Sequence, residues 1–278
     1  MTPADLQRIG ASQAWRAHRV EVFHGTSRGS VLVKGQRARR GAWRFHLLNG
    51  MARATALPLL RAVPAHGGAR AQQIEVARLR SLAAAGVPVP QVLHVDVDFF
   101  VQSYVQGKRL DVLLKKAGVE ALEAWQRGLQ ALVEVHAREQ CLSQAFARNF
   151  IAGGGQMTMI DFEDNPLEVM PLEQAQARDW LAYLHSSALM LQALPAAHHD
   201  AAAELLRGAM AREPAPVRRW VGDAARRLRW VQRLPGSDGR GWRRHVAILQ
   251  SAVALMLAAE TTGGPAPQDD KVIHARHH

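Results

Sequence analysis

Residues 142–164 read LSQAFARNFIAGGGQMTMIDFED. Three consecutive glycines, 153–155, mark a turn, because a run without side chains favours tight backbone geometry over helix or strand. The apolar run Met157–Ile160 that follows is short and reads as a strand. It ends in Asp161, twelve residues beyond Asn149, which sits in a loop. The pattern therefore sets an amide and a carboxylate on either side of one small β-element. Asp161, Glu163, Asp164 and Glu168 make the same stretch acidic, a donor set of hard oxygens that suits a divalent cation.

Working outward, helical periodicity precedes this stretch over 109–117 and 120–138, and it dominates from Pro171 onward, broken near Pro195, Pro214–Pro216 and Pro235–Gly241. Strands are expected earlier: Val20–Phe23 and Ser30–Lys34 around a turn with Gly25 and Gly29, then Val92–Val95 and Phe99–Ser103. A short helix fits residues 4–18. A longer one fits 70–85, closed by Gly86 and the helix-breaking VPVP at 87–90. This is an α+β layout of two lobes. The expected division is 1–105 for a β-containing lobe with a basic insertion at 35–70, 106–262 for a helical lobe, and 263–278 for a solvated tail.

Two residues in the first lobe stand out. Lys34 ends the apolar strand Val31-Leu32-Val33, and a half-buried ammonium there is costly unless it faces an anion. Glu75 is the only acid between Glu21 and Asp96, which makes it the natural partner for Lys34. Plainer readings exist for all four positions: a snorkelling lysine, a surface Glu75–Arg78 pair one turn apart, a turn or cap asparagine at 149, and a cap or salt-bridge aspartate at 161.

Lys34, Glu75, Asn149 and Asp161, in this order, resemble the motif set of the protein-kinase-like fold. In that family a strand lysine held by a helix glutamate binds ATP phosphates, and a loop asparagine and a DFG aspartate hold magnesium. The resemblance implies those roles for the four residues here. It also implies that FVQSYVQGKRL (100–110) is the connection between lobes, with Tyr104 and Val105 near an adenine, and that Asp179 in ARDWLAYL braces the catalytic loop. The style is similar to the small atypical bacterial kinases: the lipopolysaccharide-core sugar kinases and the RIO and KEOPS types. It spans residues 20–195.

The chain departs from the family twice. The kinase loop reads H-R-D-x-x-x-x-N, yet five residues before Asn149 stands Gln144, and Leu142 replaces the histidine. An amide accepts no proton at neutral pH, so the general base is missing. Nor does a G-x-G-x-x-G motif cover the phosphates. Glu163 stands at the DFG glycine. Two functional classes follow: a kinase-like protein that binds ATP and magnesium and phosphorylates a hydroxyl of a sugar or lipid-linked sugar, or a pseudokinase that binds nucleotide as a regulatory module.

Charge opens a third class. Lys and Arg exceed Asp and Glu by 11, and residues 1–74 account for +10 of this, with twelve basic side chains against Asp5 and Glu21. Residues 37–61 hold six arginines and no acid, interleaved with Trp43, Phe45, Leu48, Met51, Leu59 and others. In a helix, Phe45, Leu48, Met51 and Leu59 share a face flanked by arginines, which fits an anionic membrane surface or a lipid-linked sugar. Aromatics are 6% of the chain and only Trp43 and Phe45 lie in the basic run, which disfavours nucleic acid. The single cysteine, Cys141, excludes an internal disulfide framework. The start of the chain lacks the apolar middle of a secretory signal. The expected location is cytoplasmic, with a peripheral place at the inner face of the inner membrane as the extension of the basic-surface reading. Trp180, Trp220, Trp230 and Trp242 are expected as core and interface anchors.

Overall fold

A computed structural model of the chain describes residues 1–38, 49–50, 52–116, 118–235 and 242–261. Two helices, α1 (Pro3–Ala11) and α2 (Ala14–His18), precede an antiparallel sheet of β1 (Val20–Thr26), β2 (Gly29–Gly35), β3 (Val92–Val95) and β4 (Phe99–Ser103) in the order β1-β2-β4-β3. The Thr2 hydroxyl accepts the Asp5 N–H, and the Asp5 carboxylate accepts the Thr2 N–H, so a capping box with Pro3 at the first position starts α1. Side chains alternate across the sheet. Phe23, Val31, Val33, Phe99 and Val101 face Ile9 of α1 and Trp15 of α2. Lys34 and its cross-strand neighbour Phe100 take the other face, and Phe100 joins the core that contains Val76, Leu79 and Leu82 of α3 (Gly68–Ala84). Gly35 is obligatory: a Cβ there would lie 2.9 Å from the Trp15 ring.

Beyond β4 the chain is mostly helical. Helices α4 (Leu110–Leu113), α5 (Val119–Ala137), α6 (Leu172–Gln192), α7 (Ala197–Ala211), α8 (Ala215–Leu228) and α9 (Trp242–Thr261) surround one core. Helix α6 packs against α5, α7, α8 and α9 and buries Trp180, Tyr183 and Leu184 completely. Each such aromatic contributes roughly 4–6 kcal/mol of apolar burial before conformational entropy is subtracted. The Tyr183 hydroxyl donates to the Trp125 carbonyl at 2.7 Å, and the Trp125 indole N–H donates to Ser187. A second, small sheet of β5 (Lys108–Arg109), β6 (Phe150–Gly153) and β7 (Gln156–Met159) sits in the order β5-β6-β7. The molecule is thus α+β, a small antiparallel-sheet lobe joined to a mostly helical lobe.

Strands β3 and β4 have the bounds the sequence predicts. Elsewhere the structure differs. Of the expected helix 109–117, Arg109 belongs to β5 and only the single turn α4, Leu110–Leu113, is helical among the described residues. The stretch before the glycines is strand β6 rather than loop, because Phe150–Ala152 pairs with Met157–Met159 across Gly154 and Gly155, both at positive φ. Leu57 and Leu59, expected on or beside a membrane-facing stripe, are fully buried in the main core. Of the rest of that stripe, Arg53 and Arg61 are exposed, and Trp43, Phe45, Leu48, Met51, Arg39, Arg40 and Arg44 lie outside the described residues, as does the tail from 263 on. Of the four tryptophans, Trp180 is a core anchor as expected, whereas Trp230 is 51% exposed. No helix among the described residues is long and apolar enough to cross a membrane.

Candidate functional site

Strand β2 delivers Lys34 to the edge nearest the helical lobe, and α3 lays Glu75 beside it. The ammonium donates to Glu75 Oε1 and lies 3.4 Å from Asp161 Oδ1. Lys34 and Glu75 are both buried, whereas the Asp161 side chain keeps 30% of its surface open. Arg78, the plainer partner for Glu75, instead donates to the Cys141 carbonyl.

Asn149 and Asp161 flank the open end of the β6–β7 hairpin. The last ladder pair is Phe150 with Met159, and one step further the Ile160 N–H donates to the Asn149 carbonyl at 2.9 Å. Asp161 follows with φ +72°, a left-handed conformation that aspartate tolerates better than most residues. Arg19 and Ser143, at φ +70° and +75°, share that uncommon conformation beside the same site. Such backbone strain concentrates where surrounding contacts over-determine a functional geometry. The Asn149 amide donates to the Gln144 carbonyl at 2.9 Å. The Gln144 side-chain amide in turn donates to Asp164 Oδ2 at 2.8 Å, and Asp164 Oδ1 is buried without a hydrogen bond, 3.6 Å from Arg37.

Two residues of the site leave no signal in the sequence. Arg19 ends α2, and Arg37 follows β2; both guanidiniums bind the Glu163 carboxylate, and Arg19 also lies 4.0 Å from Glu75. Arg37 was expected in the membrane-facing stretch, but it is 8% exposed and clamps the first lobe to the loop after β7. Four carboxylates, Glu75, Asp161, Glu163 and Asp164, therefore meet three cations, Lys34, Arg19 and Arg37. The clamp ties the two lobes together beside Lys34. Two surface depressions, one lined by Trp15, Gly35 and Asp98 and the other by Gly107, Arg127 and Gly155, lie away from Lys34 and Asp161.

The glycine-flanked turn of β1–β2 is not part of this site. Lys34 pairs with Val20, at the far end of the ladder from the Thr26–Gly29 pair. Five residues of strand separate them, about 17 Å. Asp5 holds that turn instead, accepting from the Ser27 hydroxyl at 2.6 Å. The Ser27 and Thr2 hydrogen bonds keep the Asp5 carboxyl below the ordinary range. At the other end of β4, Tyr104 is 41% exposed and Val105 is half-buried. The Tyr104 N–H donates to the Ser30 carbonyl at 3.2 Å.

Asp179 braces the loop as the resemblance implied: it is fully buried and accepts the Leu142 N–H. Behind it, His136 lies 3.5 Å from Asp179 and 2.8 Å from Glu213, which also accepts the Trp180 indole N–H at 3.0 Å. Burial pulls the His136 pKa down, but the hydrogen bonds and charges of Asp179 and Glu213 outweigh it, and the net shift is upward. Burial, with the Asp179 charge, pushes the Cys141 thiol up to about 12, so it is no nucleophile at neutral pH.

No family model and no curated protein sequence matches the chain. Among solved structures, a mutant PAN3 pseudokinase from Neurospora crassa aligns with 86% of this chain at 11% identity and a TM-score of 0.33, and the chain spans 57% of that protein's length. ADP-bound aminoglycoside phosphotransferase APH(2'')-Ib aligns with 92% of this chain and 99% of its own at 13% identity and a TM-score of 0.32.

Proposed function

We propose that the protein binds a nucleoside triphosphate with magnesium between its lobes, and that it does so as a kinase-like binding module rather than as an efficient transferase. The observation that carries the reading is the Lys34 ammonium, drawn from β2 to Glu75 of α3 and to Asp161 after β7. A buried lysine set between two lobes, oriented by one carboxylate and within reach of a second, is placed to hold phosphate oxygens. Tyr104 lies four residues beyond Phe100, the cross-strand partner of Lys34, which leaves about 13 Å of strand for the base and ribose.

Asp161 and Asn149 suit magnesium by donor chemistry, as hard oxygens at one hairpin end. Among the described residues no three His, Cys, Asp or Glu side chains converge to cage a metal alone. The ion would therefore arrive with phosphates and water completing its shell, and would neutralise phosphate charge there. Glu75 fixes the Lys34 ammonium. Arg19 and Arg37, now on Glu163, are the further cations that phosphates would meet.

Gln144 argues against fast transfer, because its amide is spent on Asp164 and cannot take a proton. Asp164, which touches Gln144 and has an oxygen without a hydrogen bond, supports transfer as the second reading, with a sugar or lipid-linked sugar hydroxyl as acceptor. The test is calorimetric titration of ATP with and without magnesium, followed by mass spectrometry of candidate acceptors. Magnesium-dependent binding that Lys34→Met and Asp161→Asn each weaken at least ten-fold is expected. The asparagine variant keeps the left-handed backbone and removes only the charge. Equal binding by wild type and both variants refutes the site.

A further inference from the structure

Helix α8 divides cleanly. Val217, Val221, Ala224, Ala225 and Leu228 are buried on one side, while Arg218, Arg219, Arg226 and Arg227 are exposed on the other. The 3-10 turn Arg229–Arg233 continues the helix and buries Val231, leaving Arg229, Trp230 and Arg233 outside. Gln250 of α9 donates to the Val231 and Leu234 carbonyls and ties this turn to α9. The exposed Arg244 lies six residues, about 9 Å, up α9 from Gln250. Among the described residues, the acids near this helix are committed. Glu213 is buried against His136 and Trp180, and Asp223 pairs with Arg226 at 2.6 Å. Among the described residues no carboxylate lies within ion-pair distance of Arg219, Arg227, Arg229, Arg233 or Arg244.

We propose that this face docks on an anionic lipid bilayer. Five arginines without carboxylate partners make a positive surface complementary to acidic headgroups, and an exposed tryptophan among them is the residue type that settles at the headgroup level. Among the described residues this helical face presents one exposed tryptophan, Trp230. Single-stranded nucleic acid instead favours a groove with successive aromatics on which bases stack. Sequence averaging hid the feature, since residues 75–278 balance 23 basic against 22 acidic side chains. The proposal is independent of nucleotide binding and of residues 37–61.

The test is co-sedimentation of the full chain with phosphatidylglycerol and with phosphatidylcholine vesicles at low and high salt. Wild type is expected to pellet with phosphatidylglycerol at low salt, to be released by salt, and to ignore phosphatidylcholine. Each arginine near the surface is worth about five-fold in binding, so R219Q/R227Q/R229Q/R233Q should lose between two and three orders of magnitude. Its thermal unfolding should match wild type, because these exposed side chains make no hydrogen bond or ion pair with the described residues. Quenching by bromine-labelled lipid should fall in Trp230→Ala relative to wild type. Wild type remaining in the supernatant overturns the proposal, as does undiminished binding by the folded quadruple variant. Retention of the chain by an RNA oligomer but not by vesicles also overturns it and assigns the face to nucleic acid.

Discussion

At the scale of single residues, the substitution with most consequence is Gln144. Restoring aspartate there is the obvious test of lost transfer, but its neighbour forbids it. Gln144 already sits 2.8 Å from Asp164 Oδ2, and a second carboxylate at that distance would force one of the two to hold a proton. Gln144→Asp alone should therefore gain little. The exchange Q144D/Asp164→Asn keeps one carboxylate and one amide in contact and should raise any phosphate transfer above wild type, against typical general-base contributions of about 10²–10⁴-fold. Measuring ADP release for wild type, both single variants and the double decides it; a Gln144→Asp variant as active as the double contradicts the coupling.

Among the elements, α5 and α6 approach each other closely at Gly128. A Cβ on Gly128 would lie 2.1 Å from the Tyr183 hydroxyl, which is hydrogen-bonded to Trp125. Alanine gains about 1 kcal/mol of helix propensity over glycine. Overpacking costs about 1–3 kcal/mol, and a displaced buried hydroxyl a further 1–3 kcal/mol. Gly128→Ala should thus lower stability by about 3 kcal/mol, seen as an earlier urea midpoint. Elements of this kind were largely legible. Alternating Val31, Val33 and Phe99, Val101 fixed a half-buried sheet, and the 3.6-residue period fixed the long helices. Strand β6 escaped because three apolar residues before a glycine carry no periodicity; only pairing with β7 makes them a strand. Within the site, Lys34 and Glu75 could be matched because Glu75 stood alone among acids. Arg19 and Arg37 could not be told from the other arginines of a basic region, because burial by a partner more than 120 residues away leaves no local signal.

For the molecule as a whole, the buried His136 links the loop-bracing Asp179 to Glu213 at the start of α8. Asp179 Oδ1 and Glu213 Oε2 are both buried without hydrogen bonds, so a proton on His136 compensates two carboxylates. Its folded pKa is raised. The stabilisation is accordingly full below the unfolded value of about 6.5 and is lost as pH rises through the folded value. His185 opposes it on the acid side. Burial, His245 and Arg148 lower its pKa, so the folded state loses stability as pH falls below about 6.5. Urea unfolding between about pH 6 and pH 9 should show wild type weakening toward the alkaline end and His136→Gln flatter over that range. A variant with the wild-type slope places the titration elsewhere.

The Arg19–Glu163–Arg37 clamp also has a consequence in time. If a nucleotide must part these three paired side chains to reach Lys34, entry waits on their separation rather than on collision. Mixing experiments should then give an observed binding rate that rises with nucleotide concentration and levels off at the opening rate, whereas an open cleft gives a straight line. Glu163→Gln, which removes the charge holding both guanidiniums, should raise that plateau. The two lobes would act less as a waiting pocket than as a latch, with its own clock.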